Sequence, residues 1–320
     1  MFTDLAAAEL PGYRSAQVDP DDFDEFWQST LAETRAHDLA ATAAPVGTEL
    51  TTLDVYDVTF AGFGGDPVRA WLRVPAGTTT PLPTVVEFMG YGGGRGRAEE
   101  RLLLASAGFA HLAVDTRGQG SAWSVGVTPD PHGAGPHHPG FATLGIESRE
   151  SYYYRRVFTD GVRAVEAARS LDLADESRVA VVGGSQGGGI SLAVTALIGD
   201  LAASVFFVPF LCDFRRATQI TDAYPYKEIG HYLAIHRDRV EEVHRVLSYF
   251  DGVNFAKRAT TPAEFTAALM DPVCPPSTVY GAFNNYAGRK AIRVWEYNGH
   301  EGGGSDDEIW AAAHFRKALA

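Results

Sequence analysis

Short, continuous apolar runs alternate along the chain with longer segments in which apolar residues recur every three or four positions. Arg178–Val182 and Thr84–Phe88 are β-branched apolar runs of strand length, which predicts strands buried on both faces. Ile190–Ile198 is long and apolar enough to predict a buried helix. The same patterns predict helices over Asp21–His37, Ala98–Ala107, Asp160–Ser170, Ser277–Asn284 and Asp306–Leu319, and strands over Phe109–Val114, Leu201–Val208, Phe265–Leu269 and Ala291–Tyr297. Strands that alternate with helices in this way predict an α/β protein with a mostly parallel central sheet and helices on both faces.

Two further segments, Leu50–Phe60 and Val68–Val74, alternate between apolar and polar residues and flank a turn-rich stretch. They predict a hairpin that forms an antiparallel N-terminal edge of the sheet. From 212 to 253 the pattern is helical for longer than a crossover between strands needs, with helices expected over Phe214–Ile220, Lys227–His236 and Val240–Tyr249. We therefore expect residues 1–320 to form one domain with a helical insertion at about 212–253, of the kind that caps an active site or forms an oligomer contact.

The composition is that of a globular enzyme and excludes several classes of binding partner. Apolar residues make up 45% of the 320 positions and charged residues 21%, as in ordinary globular enzymes. The formal net charge of −13 argues against a nucleic-acid or anionic-membrane partner, because both require clustered positive charge. Two cysteines, Cys212 and Cys274, provide no disulfide framework and suit a reducing cytoplasm. The first residues show no signal-peptide pattern and no apolar run reaches membrane-spanning length, so a cytoplasmic location is expected.

The pentapeptide Gly183–Gly187 has the pattern G-x-S-x-G and lies between the predicted strand and the predicted buried helix. In that context the pattern indicates a nucleophile elbow, with Ser185 on a strained turn and its hydroxyl exposed, and hence an α/β-hydrolase fold. Gly183 and Gly187 must be small, because side chains there would collide where the helix passes the strand. A glycine-rich linker is the alternative, and a phosphate-binding loop is disfavoured because no lysine follows the glycines.

A serine nucleophile needs a histidine base, which in this fold follows the serine and the acid along the chain. His300 lies in Tyr297–Gly303, directly after the last predicted strand. His314 is the only other histidine beyond that strand, and it falls inside the predicted terminal helix. The sequence therefore predicts His300 as the base.

The orienting acid is expected on a loop after a late strand. Asp271 follows the predicted strand Phe265–Leu269 and precedes Pro272, whereas its competitor Asp251 ends a predicted helix in the insertion. Asp271 is therefore the predicted acid. Glu301 adjoins the histidine, but neighbours on a loop usually diverge, so it is expected to support the site from outside.

Three other features have a structural and a functional interpretation. The glycine-rich loop Met89–Gly96 follows a buried strand, where this fold supplies one oxyanion-hole N–H; otherwise it is a flexible surface loop. Arg117 follows the next strand and is expected to tie loops together rather than to contact substrate. The histidines of the loop Trp123–Gly145 lack a recognisable ligand set, so no metal site is expected there; they are His132, His137 and His138.

Three motifs together, Arg117–Gln119, Gly183–Gly187 and His300-Glu301, resemble the signatures of carbohydrate esterase family 7. That family comprises acetyl xylan esterases and cephalosporin-C deacetylases. The resemblance extends over nearly the whole chain, through the segments Tyr152–Asp160, Val208–Cys212, Leu247–Phe255 and Cys274–Thr278.

The resemblance implies a catalytic triad of Ser185, Asp271 and His300, with the backbone N–H groups of Tyr91 and Gln186 as the oxyanion hole. If the N–H of Tyr91 is the donor, Tyr91→Phe should cost little activity. The resemblance also implies a serine esterase that hydrolyses acetyl esters of small substrates through an acetyl-enzyme, without a cofactor. Such substrates include acetylated xylo-oligosaccharides and cephalosporin C.

As its assembly, the family implies a hexameric ring whose active sites open onto an internal cavity. The chain departs from the expected family pattern at Ala122, Ala268 and Pro272, of which Pro272 is placed to shift the rim of the site. Because one fold serves many reactions, a peptidase, a longer-chain lipase and a non-catalytic binding protein remain alternatives.

Overall fold

The computed structural model describes residues 4–133 and 135–320. Residues 1–3, on which the expectation about a signal peptide partly depends, and Ala134 of the histidine-containing loop therefore lie outside the described residues. The strands are β1 Thr42–Val46, β2 Leu53–Ala61, β3 Pro67–Pro75, β4 Leu82–Phe88, β5 Ala110–Val114, β6 Ala174–Gly184, β7 Ala203–Phe207, β8 Ala263–Ala268 and β9 Lys290–Trp295. The helices are α1 Phe23–Arg35, α2 Leu103–Ser106, α3 Tyr153–Ser170, α4 Gln186–Ile198, α5 Phe214–Ile220, α6 Tyr226–Ile235, α7 Val240–Leu247, α8 Gly252–Ala256, α9 Pro276–Asn285 and α10 Ser305–Ala318.

The strands form one sheet in the order β1-β2-β3-β5-β4-β6-β7-β8-β9. Strands β1, β2 and β3 pair antiparallel with one another and β3 pairs antiparallel with β5, whereas the pairs from β5 to β9 are all parallel. The predicted mixed sheet with an antiparallel N-terminal edge is thus confirmed. Strand β1 was not predicted: it is largely exposed and contains Pro45, as edge strands tolerate.

The sheet is covered on both faces, which explains the continuous apolar run of β6. Val179 and Val181 belong to the large core that includes α3 and α4. Ala180 and Val182 belong to a smaller core under α10. Because successive strand residues point to opposite faces, a strand covered on both sides has no polar positions to alternate with.

Two helices differ from the sequence expectation. Helix α3 begins at Tyr153 rather than at Asp160, and the charged residues in its first turns obscured the apolar pattern. One of them, Arg156, is buried and donates two hydrogen bonds to Asp130, at 2.7 and 3.0 Å. Helix α2 is much shorter than the predicted Ala98–Ala107, because Arg101 adopts a positive φ of 54° that no α-helix accommodates.

The segment between β7 and β8 is helical, and α5, α6 and α7 lie within two residues of the predicted bounds. The additional helix α8 begins after Asp251, whose carboxylate accepts the N–H of Val253 and so caps it. None of the helices within the described residues combines the length and apolarity that crossing a bilayer requires.

Candidate active site

Ser185 lies between the end of β6 and the start of α4, with a φ of 54° and a ψ of −120°. This backbone conformation is strained for a residue with a side chain, and it persists because the elements on both sides hold the turn. A Cβ on Gly183 would lie 2.3 Å from the carbonyl of Gly187, and one on Gly187 would lie 2.1 Å from the carbonyl oxygen of Phe88. Both positions must therefore lack a side chain, as the pattern predicts.

A substitution at Gly187 tests this packing. We expect Gly187→Ala to lower the free energy of unfolding by about 1–3 kcal/mol or more, because backbone atoms of β4 must move. The control is Gly12→Ala, where an added Cβ meets nothing within 4 Å and the cost should stay below about 0.5 kcal/mol. Denaturant titration of both variants measures the free energies of unfolding. Equal values would show that the turn can accommodate a side chain at Gly187.

The structure brings Ser185, His300 and Asp271 together as a chain of hydrogen bonds. His300 Nε2 lies 2.9 Å from Ser185 Oγ, and His300 Nδ1 lies 2.8 Å from Asp271 Oδ2. Asp271 is fully buried, whereas the imidazole is partly exposed. A carboxylate at Nδ1 keeps the proton on that nitrogen and leaves Nε2 free to accept the serine proton.

The two loops that carry the acid and the histidine are themselves held by hydrogen bonds. The second carboxylate oxygen of Asp271 accepts the N–H groups of Val273 and Cys274, at 2.7 and 2.9 Å. On the histidine loop, Glu301 accepts the N–H of Gly299 and the side-chain amide of Asn298, both at 3.1 Å. Glu301 therefore supports the loop and does not join the hydrogen-bonded chain, as expected.

The backbone N–H groups of Tyr91 and Gln186 have no hydrogen-bond acceptor among the described residues. The carbonyl oxygen of Tyr91 accepts Trp123 Nε1 at 2.8 Å, and the N–H of Gly92 donates to Gln119 Oε1 at 2.7 Å. These contacts hold the glycine-rich loop in place and leave the two N–H groups available to a ligand. Two unsatisfied amides beside a serine hydroxyl are suited to binding an oxyanion.

Side-chain amides connect this loop to the elbow, a role that the sequence pattern did not indicate. Gln186 and Gln119 pair through their amides, at 2.9 and 3.2 Å, and Gln186 also donates to the carbonyl of Met89 at 3.2 Å. Both glutamines are buried, and Tyr154 donates its hydroxyl to Gln186 at 2.9 Å. The elbow and the glycine-rich loop are therefore bound to each other as well as to the sheet.

Sequence reasoning also missed Glu228, because nothing in the pattern of α6 distinguishes it from a surface acid. Glu228 is almost fully buried, and the hydroxyl of Tyr91 donates to its two oxygens at 2.7 and 2.8 Å. The N–H of Ala142 donates to the same carboxylate at 2.9 Å. Burial raises the pKa of Glu228, while the hydrogen bonds from Tyr91 and Ala142 oppose that rise.

The expectation that Tyr91→Phe costs little therefore changes. Removing the hydroxyl leaves the buried Glu228 short of a donor, a loss of about 1–3 kcal/mol, and frees the loop that carries the Tyr91 N–H. We expect a lower melting temperature together with a lower kcat. Tyr280→Phe is the control, since its hydroxyl has no hydrogen-bond partner among the described residues. If both variants match the parent protein, the contact with Glu228 does not position the loop.

Arg117 ties loops together, as predicted from the sequence. Its guanidinium is fully buried and donates to both oxygens of Asp160, with further contacts to Asp66 at 3.0 Å and Asp130 at 3.4 Å. Full burial and contacts with three acidic side chains make the group a structural anchor rather than a ligand contact.

Within residues 4–133 and 135–320, one group has the spacing of metal ligands: Asp271, Cys274 and His300, whose candidate atoms lie within 4.8 Å of one another. Two of these residues are already hydrogen-bonded to each other in the chain that leads to the serine. His132 instead pairs with Asp66 at 2.7 Å, and His138 stacks on His231.

A cavity of about 780 Å³ opens beside Ser185 and His300. Its walls come from the ends of β4, β6 and β7, from α2 and α10, and from Tyr224 in the helical segment before β8. This volume accommodates a ligand much larger than an acetyl group.

Comparisons by family model, by sequence and by structure each find acetyl esterases among the proteins similar to this chain. The family model described as acetyl xylan esterase (AXE1) matches residues 1–315. The acetyl esterase Axe7A of Xylanibacter ruminicola is 28% identical over 286 residues, a match that covers 88% of this chain but only 63% of that protein. The solved acetyl xylan esterase from Paenibacillus sp. R4 superposes with a TM-score of 0.92 at 38% identity, covering 99% of this chain and all of its own. Acetyl xylan esterase 1 from Thermoanaerobacterium sp. JW/SL YS485 superposes with a TM-score of 0.91 at 31% identity, and the match covers 99% of this chain and 100% of that one.

Proposed function

Because the chain belongs to the acetyl xylan esterase family, we propose that it is a serine esterase that removes acetyl groups from small esters. Acetylated xylo-oligosaccharides and cephalosporin C are the proposed substrates. The observation that carries the proposal is the chain of hydrogen bonds from Asp271 through His300 to Ser185 at the wall of the cavity. The close superposition on two acetyl xylan esterases supports an α/β-hydrolase fold for this chemistry.

In the proposed mechanism, Ser185 Oγ attacks the acetyl carbonyl while His300 Nε2 takes the hydroxyl proton. Asp271 holds the Nδ1–H and stabilises the imidazolium that forms. The oxyanion of the tetrahedral intermediate accepts hydrogen bonds from the N–H groups of Tyr91 and Gln186. His300 then protonates the departing alcohol. In the second half of the reaction His300 takes a proton from a water molecule that attacks the acetyl-enzyme, and it returns that proton to Ser185 Oγ as acetate leaves. The residues themselves supply every proton transfer, so the mechanism requires no cofactor.

The test is acetate release from acetylated xylobiose and from cephalosporin C, measured beside a series of 4-nitrophenyl esters and a peptide amide. We expect the highest kcat/KM among the nitrophenyl esters for the acetate, and a single stoichiometric label from a serine-reactive phosphonate. A preference for long acyl chains would indicate a lipase, and cleavage of the amide a peptidase. A protein that neither releases acetate nor reacts with the phosphonate is a binding protein on the same fold.

We also propose a hexameric ring with sites that face an internal cavity, which the resemblance to carbohydrate esterase family 7 supports. Such a ring admits oligosaccharides and excludes polymeric acetyl xylan. Light scattering measures the size of the assembly, and the rates per acetyl group on polymer and on acetylated xylobiose show whether the polymer is excluded.

The two free, buried cysteines support a reducing, cytoplasmic location.

A further inference from the structure

The cavity beside Ser185 has a charged wall that the proposed chemistry does not use. Glu87 on β4, His111 on β5 and Arg101 before α2 all line it. Glu87 pairs in register with Val182, and Val85 pairs with His111, so Glu87 and His111 share the face of the sheet under α10. Burying charged side chains on this otherwise apolar face of the sheet costs free energy, so a structural or functional role is expected for them.

The three side chains form one connected group. Arg101 Nη1 donates to one oxygen of Glu87, and His111 Nε2 lies 2.8 Å from the other oxygen. His111 is 1% exposed and therefore fixed, whereas the Arg101 side chain is 30% exposed. Burial alone would raise the pKa of Glu87, but the charge of Arg101 and the hydrogen bond from His111 outweigh it and lower the pKa to about 2. At neutral pH the group therefore presents a carboxylate and a guanidinium side by side.

This group retains unused hydrogen-bonding capacity. Arg101 has five N–H donors, and among the described residues its only hydrogen-bond acceptor is Glu87. Each carboxylate oxygen of Glu87 accepts one hydrogen bond and has a second lone pair. A pair of neighbouring hydroxyl groups matches this arrangement, because one donates to Glu87 while the other accepts from Arg101.

An apolar surface lies directly beside the charged group. Trp123 also lines the cavity, is 54% exposed, and has its ring centroid 5.7 Å from the Arg101 guanidinium carbon. The hydrogen bond from its indole N–H to the carbonyl of Tyr91 fixes the ring plane next to the loop that follows β4. A sugar ring that packs against the exposed part of Trp123 therefore lies next to the Arg101 guanidinium.

The charge of the cavity selects between ligands of different charge. Its lining includes the carboxylates of Glu87, Glu301, Asp307 and Glu308 but only one cationic side chain within the described residues, that of Arg101. Arg101 is already paired with one of these acids. The remaining negative potential disfavours an anionic ligand and does not penalise a neutral one.

We propose that Glu87 and Arg101 form a subsite that binds vicinal hydroxyl groups on the neutral alcohol portion of the ester, with its ring against Trp123. This inference rests on the proposed function and refines it: the preferred substrate is a neutral acetylated sugar rather than an anionic ester such as cephalosporin C.

Competitive inhibition tests the subsite without relying on sugar-ester turnover. Xylobiose, the deacetylated alcohol, is added to assays with 4-nitrophenyl acetate. We expect Arg101→Gln to raise the inhibition constant of xylobiose about tenfold or more, the size expected for a lost charge-assisted hydrogen bond. The ratio of kcat/KM for acetylated xylobiose to that for cephalosporin C should fall in parallel.

Arg97→Gln is the matched control, because Arg97 is exposed four residues away and does not line the cavity. It should leave the inhibition constant unchanged. If Arg101→Gln does not fold by thermal melt, Arg101→Lys keeps the charge and removes the planar fork, and should still weaken xylobiose severalfold.

An unchanged inhibition constant in a folded Arg101 variant overturns the subsite, as does equal or better turnover of cephalosporin C by the parent protein. Failure of the proposed function looks different, because the parent protein would then release no acetate from any of these esters.

Discussion

Ser185→Ala is expected to lower kcat for 4-nitrophenyl acetate by about a millionfold, as removal of a triad serine does in well-studied hydrolases. The residual rate comes from substrate binding and the two N–H groups alone. The variant should melt at the same temperature as the parent, because the lost hydroxyl contacts His300 at the cavity wall and supports no packing. The phosphonate label should disappear with the activity.

Ser191→Ala provides a matched control. Ser191 lies on α4, is fully buried, and has a hydroxyl without a hydrogen-bond partner among the described residues. Its removal should leave both kcat and phosphonate labelling unchanged. Retention of more than about a tenth of the parent kcat by Ser185→Ala would exclude Ser185 as the nucleophile, because triad losses span several decades.

Asp271→Asn is expected to lower kcat by about ten-thousandfold. An amide that donates to Nδ1 holds the imidazole in the wrong tautomer, with the proton on Nε2, so that His300 can no longer accept the proton of Ser185. The single side-chain oxygen of the asparagine, in the place of Oδ1, can still accept the N–H groups of Val273 and Cys274, so the loop should remain folded. The measurements are kcat, a thermal melt and the rate of phosphonate labelling.

Asp251→Asn tests the rival acid under the same burial. Asp251 is fully buried and accepts the N–H groups of Asp213 and Phe214, away from the serine. Burial and the neighbouring charge of Asp213 raise the pKa of Asp251. Because both of its carboxylate oxygens accept backbone N–H groups, the NH2 group of an asparagine would face one of these donors. Asp251→Asn should alter stability and leave the kcat of the folded protein intact. The assignment of the acid fails if the two variants show the opposite pattern.

Elements whose side chains follow a simple period were predictable. Val179–Val182 of β6 and most of Ile190–Ile198 in α4 are buried and apolar, and the glycines between the two segments indicate the turn. Helix α3 was predicted too short, because an arginine such as Arg156 is normally a surface residue. Here it is buried because it pairs with Asp130 from another loop. Strand β1 is exposed and carries no apolar period, so only its pairing with β2 identifies it.

For the site, the order of Ser185, Asp271 and His300 along the chain and their positions after predicted strands indicated these three residues. Both features can be found in the sequence without knowing which segments meet in space. Their hydrogen-bond distances depend on loops that the sheet brings together, which tertiary structure alone decides. The same holds for Glu228 under the glycine-rich loop and for Glu87 beside Arg101. The sequence shows that a residue is acidic but not whether its side chain lies at the surface or in the core. Only the partners that folding places around the carboxylate determine whether it is solvated, structural or available to a ligand.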